Sequence, residues 1–351
     1  MIATSPRLSD FHYDLPVDRI AQKPVEPRDH SKLMVVNTSS RQFEHRAFFD
    51  LDQMLVSGDV LVANATRVFP ARLRGKKKTG GKVEVLLLGR SVDPSCWRAL
   101  VRGATQVTEL FFEEGTSARM EKRLAEEEWL LRFSRDDVSS FLQRQGETPL
   151  PPYIKRPQAD ALDMDRYQTV YAKSEGAVAA PTAGFHFTPE LLARLKQRSI
   201  QWQEIVLHVG WGTFRPVREE DIQKHQMLPE SYDMTSATAE TLNTAHREKR
   251  RIIAVGTTAV RTLETVCDED GVFQPGQGES RLFITPGYTF KAIDALITNF
   301  HLPDATPLFL ASAFYSHKTR DAEPFGLRAA YEEAIRSGYR FYSYGDAMLI
   351  Q

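Results

Sequence analysis

The sequence predicts an α/β protein whose main α/β domain is formed from both chain ends, with an inserted all-β, barrel-like domain between them. Three observations predict this. Short strand-like runs separated by Gly, Pro and charge follow one another between residues 66 and 149. The run TPLPPYIKRP (148–157) carries four prolines and reads as a linker. Beyond it, strand-like and helical runs alternate, as in a sheet with helices on its faces. The expected division is 1–65 with 150–351 for the α/β domain and 66–149 for the insert.

Taken in order, residues 7–30 are turn-rich, punctuated by Pro16, Pro24 and Pro27. Leu33–Val36 and Arg41–His45 read as strands around a polar turn, and Val60–Ala63 as a third behind Gly58-Asp59. The composition then shifts. No acidic residue occurs from Val60 to Val83, while Arg67, Arg72, Arg74, Lys76, Lys77, Lys78 and Lys82 supply seven positive charges. KVEVLLL (82–88), WRALV (97–101), ELFF (109–112) and EWLLRF (128–133) are the strands of the insert, followed by a short helix over Asp136–Gln145. After the linker, Thr188 is an N-cap with Pro189 at the first helical position, opening a helix over Glu190–Arg198. A strand over Glu204–Val209, a helix over Ala237–Lys249, the buried strand RIIAV (251–255) and a helix over Ala259–Val266 follow. RLFIT (281–285) and ALITNF (295–300) read as strands, Thr306-Pro307 opens a helix over Leu308–Tyr315, Phe325–Arg336 is helical, and Arg340–Tyr344 is a last strand.

Composition excludes several classes. The net charge of −1 announces no bulk polyanion binder, so any nucleic-acid surface is local. Cys96 and Cys267 stand far apart without CxxC spacing, which argues for a reducing compartment and against a disulfide framework or a zinc site. The first fifteen residues lack an apolar core, and no stretch approaches 18 apolar residues, so the expectation is a cytoplasmic protein without a membrane span. GKKKTGGK (75–82) places Gly81 where a P-loop needs Lys and runs into a strand. Gly276-Gln277-Gly278 follows a Pro in a polar turn and is no dinucleotide fingerprint. His208, His225 and His301 lack paired-ligand spacing, so no metal is expected.

The densest stretch is GAVAAPTAGFHFTPE (176–190). Its small residues let a ligand approach the backbone, its helix start favours anions, and His186 can exchange a proton near neutral pH. Polar clusters also follow five strand-like runs: Asn64–Arg67, His208–Phe214, Gly256–Thr258 with Arg261 and Glu264, Thr298–His301, and Tyr344–Asp346. In α/β sheets ligands gather beyond the carboxyl ends of strands, so these clusters predict one pocket. Each alone also reads as ordinary structure: Asn64 as a turn residue, Arg261 as a helix-surface charge, Asp346 as a cap.

RYQTVYA (166–172), GAVAAPTAGFHFT (176–188), LHVGWGTFRPV (207–217), AVGTTAVRTLE (254–264), LITNFHLP (296–303) and YGDAMLI (344–350) resemble the motifs of the S-adenosylmethionine:tRNA ribosyltransferase-isomerase family of queuosine biosynthesis. NATRVFPARL (64–73) and TGGKVEVLLL (79–88) match as well, so the resemblance covers essentially the whole chain. It implies that S-adenosylmethionine is consumed as a ribosyl donor, with no separate cofactor. The implied acceptor is the aminomethyl-deazaguanine base at the wobble position of a tRNA. Adenine and methionine leave, and an epoxycyclopentanediol base results. Under this resemblance His186, His208 and His301 are the catalytic candidates. Asn64, Thr182, Thr257, Thr258 and Asn299 are candidates for holding ribose, adenine or methionine, Arg261 for the methionine carboxylate, and Glu264 or Asp346 for the sulfonium or amino group. Arg67, Arg72, Arg74, Lys76, Lys77 and Lys78 are the candidate tRNA phosphate contacts, or else a solvated basic face. Three departures stand out: Leu228 replaces the second His of an expected H-x-M-H-x-E run starting at His225, and Pro307 and Phe309 replace aliphatic residues. They leave two alternatives open, an RNA-binding relic without catalysis and an enzyme acting on a free nucleoside. A monomer is the expected state.

Overall fold

The computed structural model describes residues 6–93, 95–125, 127–156, 160–214 and 217–351. Residues 1–5, Pro157 of the linker, and Arg215-Pro216 of the LHVGWGTFRPV run lie outside the described residues. The first part of the chain gives β1 (Lys32–Val36), β2 (Phe43–Ala47), α1 (Leu51–Met54), β3 (Val60–Asn64) and β4 (Thr66–Val68). The insert contributes β5 (Arg72–Lys77), β6 (Lys82–Arg90), β7 (Cys96–Arg102), β8 (Glu109–Phe111), β9 (Ser117–Arg123), β10 (Glu128–Phe133) and α2 (Val138–Gln145). Then come α3 (Ala161–Arg166), β11 (Ser174–Ala177), α4 (Pro189–Gln197), β12 (Gln201–Leu207), β13 (Glu230–Met234), α5 (Ser236–Arg247), β14 (Ile252–Val255) and α6 (Thr257–Val266). The chain finishes with β15 (Gly276–Ser280), β16 (Ala295–Asn299), α7 (Thr306–Thr319), α8 (Arg328–Arg336) and β17 (Ala347–Ile350).

Strands buried on both faces need unbroken apolar runs. VLVAN, IIAV and ALITN supply them, and every residue of β3, β14 and β16 is buried. These strands pair in parallel with one another and with β12, at the centre of a nine-stranded sheet ordered β15-β13-β12-β3-β14-β16-β17-β1-β2. One apolar cluster gathers Leu61, Ala63, Ile253, Val255 and Ile297, and another gathers the alternate residues Val60, Val62, Ile252, Ala254 and Leu296, so the sheet has a core on each face. The insert closes into a six-stranded antiparallel barrel, ordered β10-β7-β6-β5-β8-β9, with a core of its own. On β6 the residues Val83, Val85 and Leu87 point inward and Lys82 and Glu84 outward, the period of a half-buried strand. Closure leaves no unpaired edge. Helix α2 lays Val138, Phe141 and Leu142 against that core.

Thr188 caps α4 as the sequence predicts, its hydroxyl accepting from the Leu191 N–H at 3.2 Å. Other expectations shift. RLFIT (281–285) forms no strand; the neighbouring Gly276–Ser280 does, as a polar edge strand on β13. Ala305 rather than Thr306 stands at the N-cap of α7, with Pro307 in the first turn. Arg340–Tyr344 is not a strand; the strand is β17, directly after it. β17 runs antiparallel to β16, with Ala347 opposite Asn299. Tyr344–Asp346 therefore precede their strand yet arrive at the sheet end where β3, β14 and β16 finish.

Candidate active site

At that sheet end lies a cavity of about 470 Å³. Its walls include Ala179–Ala183, Val209, Gly256–Thr258 and Thr298–Pro303, and Tyr153, Tyr342, Asp304 and Pro307 complete it. Gly256 has φ +89°, a conformation costly for any other residue, and it turns the chain from β14 straight into α6. The first backbone N–H groups of α6 have no partner within the helix, and Thr257 and Thr258 beside them line the cavity. That end of a helix carries partial positive charge and suits a carboxylate.

A hydrogen-bonded chain leads inward from the cavity wall. The Thr182 hydroxyl donates to Asn299 Oδ1 at 3.1 Å. The Asn299 amide donates to His186 Nε2 at 3.2 Å and to the Tyr342 carbonyl at 3.3 Å. His186 Nε2 is thereby the acceptor, so Nδ1 carries the proton and donates to Ser31 Oγ at 2.7 Å. Burial, with Arg340 and Arg28 nearby, pushes the His186 imidazole down to about 3, so it is neutral at pH 7. Asn299 stands between His186 and the cavity.

His301 lines the cavity itself. Its Nε2 lies 2.8 Å from Thr298 Oγ1, its N–H donates to Tyr331 Oη at 3.0 Å, and its carbonyl accepts from the Tyr13 hydroxyl. Burial pushes its imidazole down to about 3 as well. Two wall residues escaped the sequence reading. Tyr342 has φ +74°, a strained conformation for an aromatic residue, and its ring centroid lies 4.2 Å from that of Tyr153. Asp304 has φ +60°, and burial raises its carboxyl above the usual range. Asp304 directly follows LITNFHLP, which was the one available signal; a positive φ leaves no trace in sequence.

The remaining candidates brace these walls or lie elsewhere. Asn64 joins β3, β12 and α6: Oδ1 accepts from the Thr66 and Leu207 N–H groups at 3.1 and 3.0 Å, and Nδ2 donates to the Leu207 carbonyl at 2.9 Å and to Thr258 Oγ1 at 3.3 Å. Arg261 is buried, paired with Glu230, and donates to the Leu282 carbonyl at 3.0 Å. It borders a small void that Thr257, Thr258 and Pro307 also line. Glu264 accepts from the Ala292 N–H at 3.0 Å and from Tyr288 Oη at 3.1 Å, away from the cavity. Asp346 accepts from the Arg340 and Lys32 N–H groups at 2.8 and 3.1 Å.

His208 faces a second cavity, of about 280 Å³, between the barrel and the sheet. Arg72 and Arg74 line a third space, an open groove of about 510 Å³ shared with Arg102, Lys155 and Arg156. Arg74 pairs with Glu147 at 2.9 Å, and Arg72 donates to the Leu150 carbonyl at 2.8 Å. Pro152 lines both this groove and the main cavity. Arg67 is exposed on β4, and Lys76–Lys78 stand at the end of the β5–β6 hairpin. Among the described residues no group of three or more His, Cys, Asp or Glu is placed to hold a metal, and no helix is long and apolar enough to cross a membrane.

A family profile described as queuosine biosynthesis protein matches residues 8–350. The S-adenosylmethionine:tRNA ribosyltransferase-isomerase of Moorella thermoacetica is 50% identical over 351 residues, covering 98% of this chain and 99% of its own. The protein of that name from Thermotoga maritima is 46% identical with the same coverage. The crystal structure of the S-adenosylmethionine tRNA ribosyltransferase from Thermotoga maritima aligns over 97% of this chain and 100% of its own, with a TM-score of 0.55 and 34% identity. With a profile match over residues 8–350, and with four of the motif runs lining one cavity, the chain belongs to the queuosine biosynthesis protein family.

Proposed function

We propose that the chain transfers and isomerises the ribosyl moiety of S-adenosylmethionine onto the 7-aminomethyl-7-deazaguanine base at the wobble position of tRNA, giving epoxyqueuosine-tRNA with release of adenine and methionine. The observation that carries this reading is that four separate motif runs shared with the family, at 176–188, 207–217, 254–264 and 296–303, converge on the 470 Å³ cavity. Relatives bearing the ribosyltransferase-isomerase name match over the full chain.

Within that cavity the start of α6 takes the methionine carboxylate, because Arg261 is already committed to Glu230. Thr182, Thr257, Thr258 and Asn299 hold the hydroxyl and amino groups of the donor, and Asp304 faces its cationic end. The rings of Tyr153 and Tyr342, tilted by 42° to each other, give the cavity an aromatic side for a base. The sulfonium acidifies the ribose C5′ protons, so a side chain can remove one without a metal. His301, neutral and at the cavity wall, is the group placed for that transfer, a role worth roughly 10²–10⁴-fold in rate. His186 acts through Asn299 as a positioning residue. Arg72 and Arg74 meet the tRNA backbone at the groove mouth, with Arg67 and Lys76–Lys78 as outlying contacts. A tRNA acceptor implies a cytoplasmic place of action, and a monomer is the proposed state.

The test is tRNA-dependent release of adenine from S-adenosylmethionine, measured with tRNA carrying the precursor base. Release that requires this tRNA supports the reading; no release at any donor concentration overturns it.

A further inference from the structure

The second cavity lies between the barrel residues Leu88, Gly89 and Arg98 and the loop after β12. His208 is seated in it by two devices. Its Nδ1 lies 2.8 Å from Thr66 Oγ1, whose own proton goes to the Ser174 carbonyl at 3.4 Å. In the tautomer with the proton on Nδ1, that proton goes to Thr66 Oγ1 and Nε2 carries the lone pair. Gly176 makes room for the ring, since a Cβ there would fall 2.6–2.9 Å from three imidazole atoms. The space also has a flat apolar side, Trp211 and Leu228, and a carboxylate side, Glu230 and Glu279. Glu230 is taken up by Arg261 and by the Gly210 N–H, whereas Glu279 is exposed and meets Arg281 only at 3.8 Å. Val209 lines both this cavity and the main one, so the partition between them is there one residue thick.

We propose that this second cavity receives the acceptor base, and that His208 Nε2 takes the proton from its aminomethyl group. The inference rests on the functional reading above. At about 280 Å³ the space equals roughly nine waters at about 30 Å³ each, enough for one bicyclic base and too small for the donor with its methionyl arm. A deazaguanine keeps the N1–H and 2-amino donors of guanine, which call for a carboxylate; Glu279 supplies it. An aliphatic amine is charged at pH 7 and cannot attack until it loses a proton. In the step proposed, one ammonium N–H bond breaks and an Nε2–H bond forms. The electron pair stays on the amine nitrogen, which becomes the nucleophile, and the imidazole becomes imidazolium. His208 starts neutral because burial lowers its affinity for a proton. The charged groups facing it are Asp233 and Glu230 on β13, Glu279 on β15 and Arg98 on β7. With the base seated here, the amine approaches the donor past Val209, where the two cavities adjoin.

The test uses the full chain and two variants. Leu228→Trp fills the cavity; S-adenosylmethionine affinity, by calorimetry, stays within about twofold, while tRNA-dependent adenine release falls about 10²-fold or more. His208→Gln keeps tRNA and donor binding within about threefold but loses about 10²-fold in turnover at pH 7. Its deficit against the parent then shrinks toward pH 9, as the amine sheds its proton unaided. A structural role for His208 would leave the deficit independent of pH. Turnover by His208→Gln within threefold of the parent at pH 7, a pH-independent deficit, or weakened donor binding in Leu228→Trp overturns the proposal. Gly176→Ala, which displaces the ring without changing its chemistry, reproduces the His208→Gln profile; a parental profile overturns the proposal equally. Absence of adenine release by the parent fails the functional reading itself, a result distinct from failure in the variants alone.

Discussion

The 470 Å³ cavity and the junction groove are built in opposite ways. Around the cavity, polar side chains are buried and bonded to one another: Ser31, His186, Asn299 and Thr182 form one chain in which each partner fixes the next. Along the groove, Arg72, Arg74, Arg102, Lys155 and Arg156 alternate with Glu84, Glu147, Asp160 and Asp163, and Arg74 and Arg102 are largely open to solvent. A small donor whose bonds must break needs preset geometry, and saturated buried networks supply it. A polyanion is met over a wide area, where charges able to exchange partners serve better and salt governs affinity.

The comparison breaks most sharply at Asn299. Asn299→Leu strands the Thr182 hydroxyl, the His186 ring and the Tyr342 carbonyl, each buried loss costing about 1–3 kcal/mol. Adenine release should fall at least about 10²-fold while tRNA affinity, by filter binding, is unchanged; parental turnover would detach this network from the chemistry.

The next effect is on stability against pH. His186 is held near 3 in the folded chain and titrates near 6.5 when unfolded. Between those values the unfolded state binds the extra proton. Stability from this residue is therefore full above about pH 6.5 and lost as pH falls through the window, by about 1.4 kcal/mol per unit. Denaturant unfolding at pH 7, 6 and 5 should show that loss, and His186→Asn should reduce it, leaving the share that His301 contributes over the same window. An equal slope in the variant would mean that the ring protonates in the folded state.

The smallest effect sharpens the other side. Arg72→Glu with Arg74→Glu should weaken tRNA binding about tenfold and lower the log–log salt slope by about 2, with donor affinity untouched. Reversal at Lys76–Lys78, farther along the hairpin, should cost less, about threefold. The reverse ranking would move the RNA path out to the hairpin tip.

Much of the fold was legible because burial on both faces leaves no choice of residue. β14 is an unbroken apolar run, β3 and β16 are apolar up to their polar carboxyl ends, and the Thr188–Pro189 start of α4 follows from capping chemistry alone. What escaped was half-exposed or at an edge. β5 reads as a run of charge because only Leu73 among its residues is fully buried, and β9 turns only Ala118 and Met120 inward. β15 is a polar edge strand, and β13 beside it is polar and only partly buried. RLFIT (281–285) misled because its apolar residues pack against helices, with Phe283 beside Phe309 on α7, and not in a ladder. Along the cavity wall, Thr257, Thr258, Asn299 and His301 were legible as polar residues after strands, and Thr182 as part of the small-residue stretch 176–190. The company Arg261 keeps was not, since Glu230 stands 31 positions away on another strand. Nor was the screen that Asn299 forms before His186, which depends on one amide orientation.

The position of β17 bears on how the molecule comes together. Residues 347–350 lie between β16 and β1, and β2 hangs on β1 alone. During synthesis the barrel has all its strands by residue 133, whereas the hairpin made first has no seat until residues 347–350 emerge. The earliest-made strands are thus among the last to be docked, and removing those four residues would split the sheet in two and leave an apolar hairpin adrift.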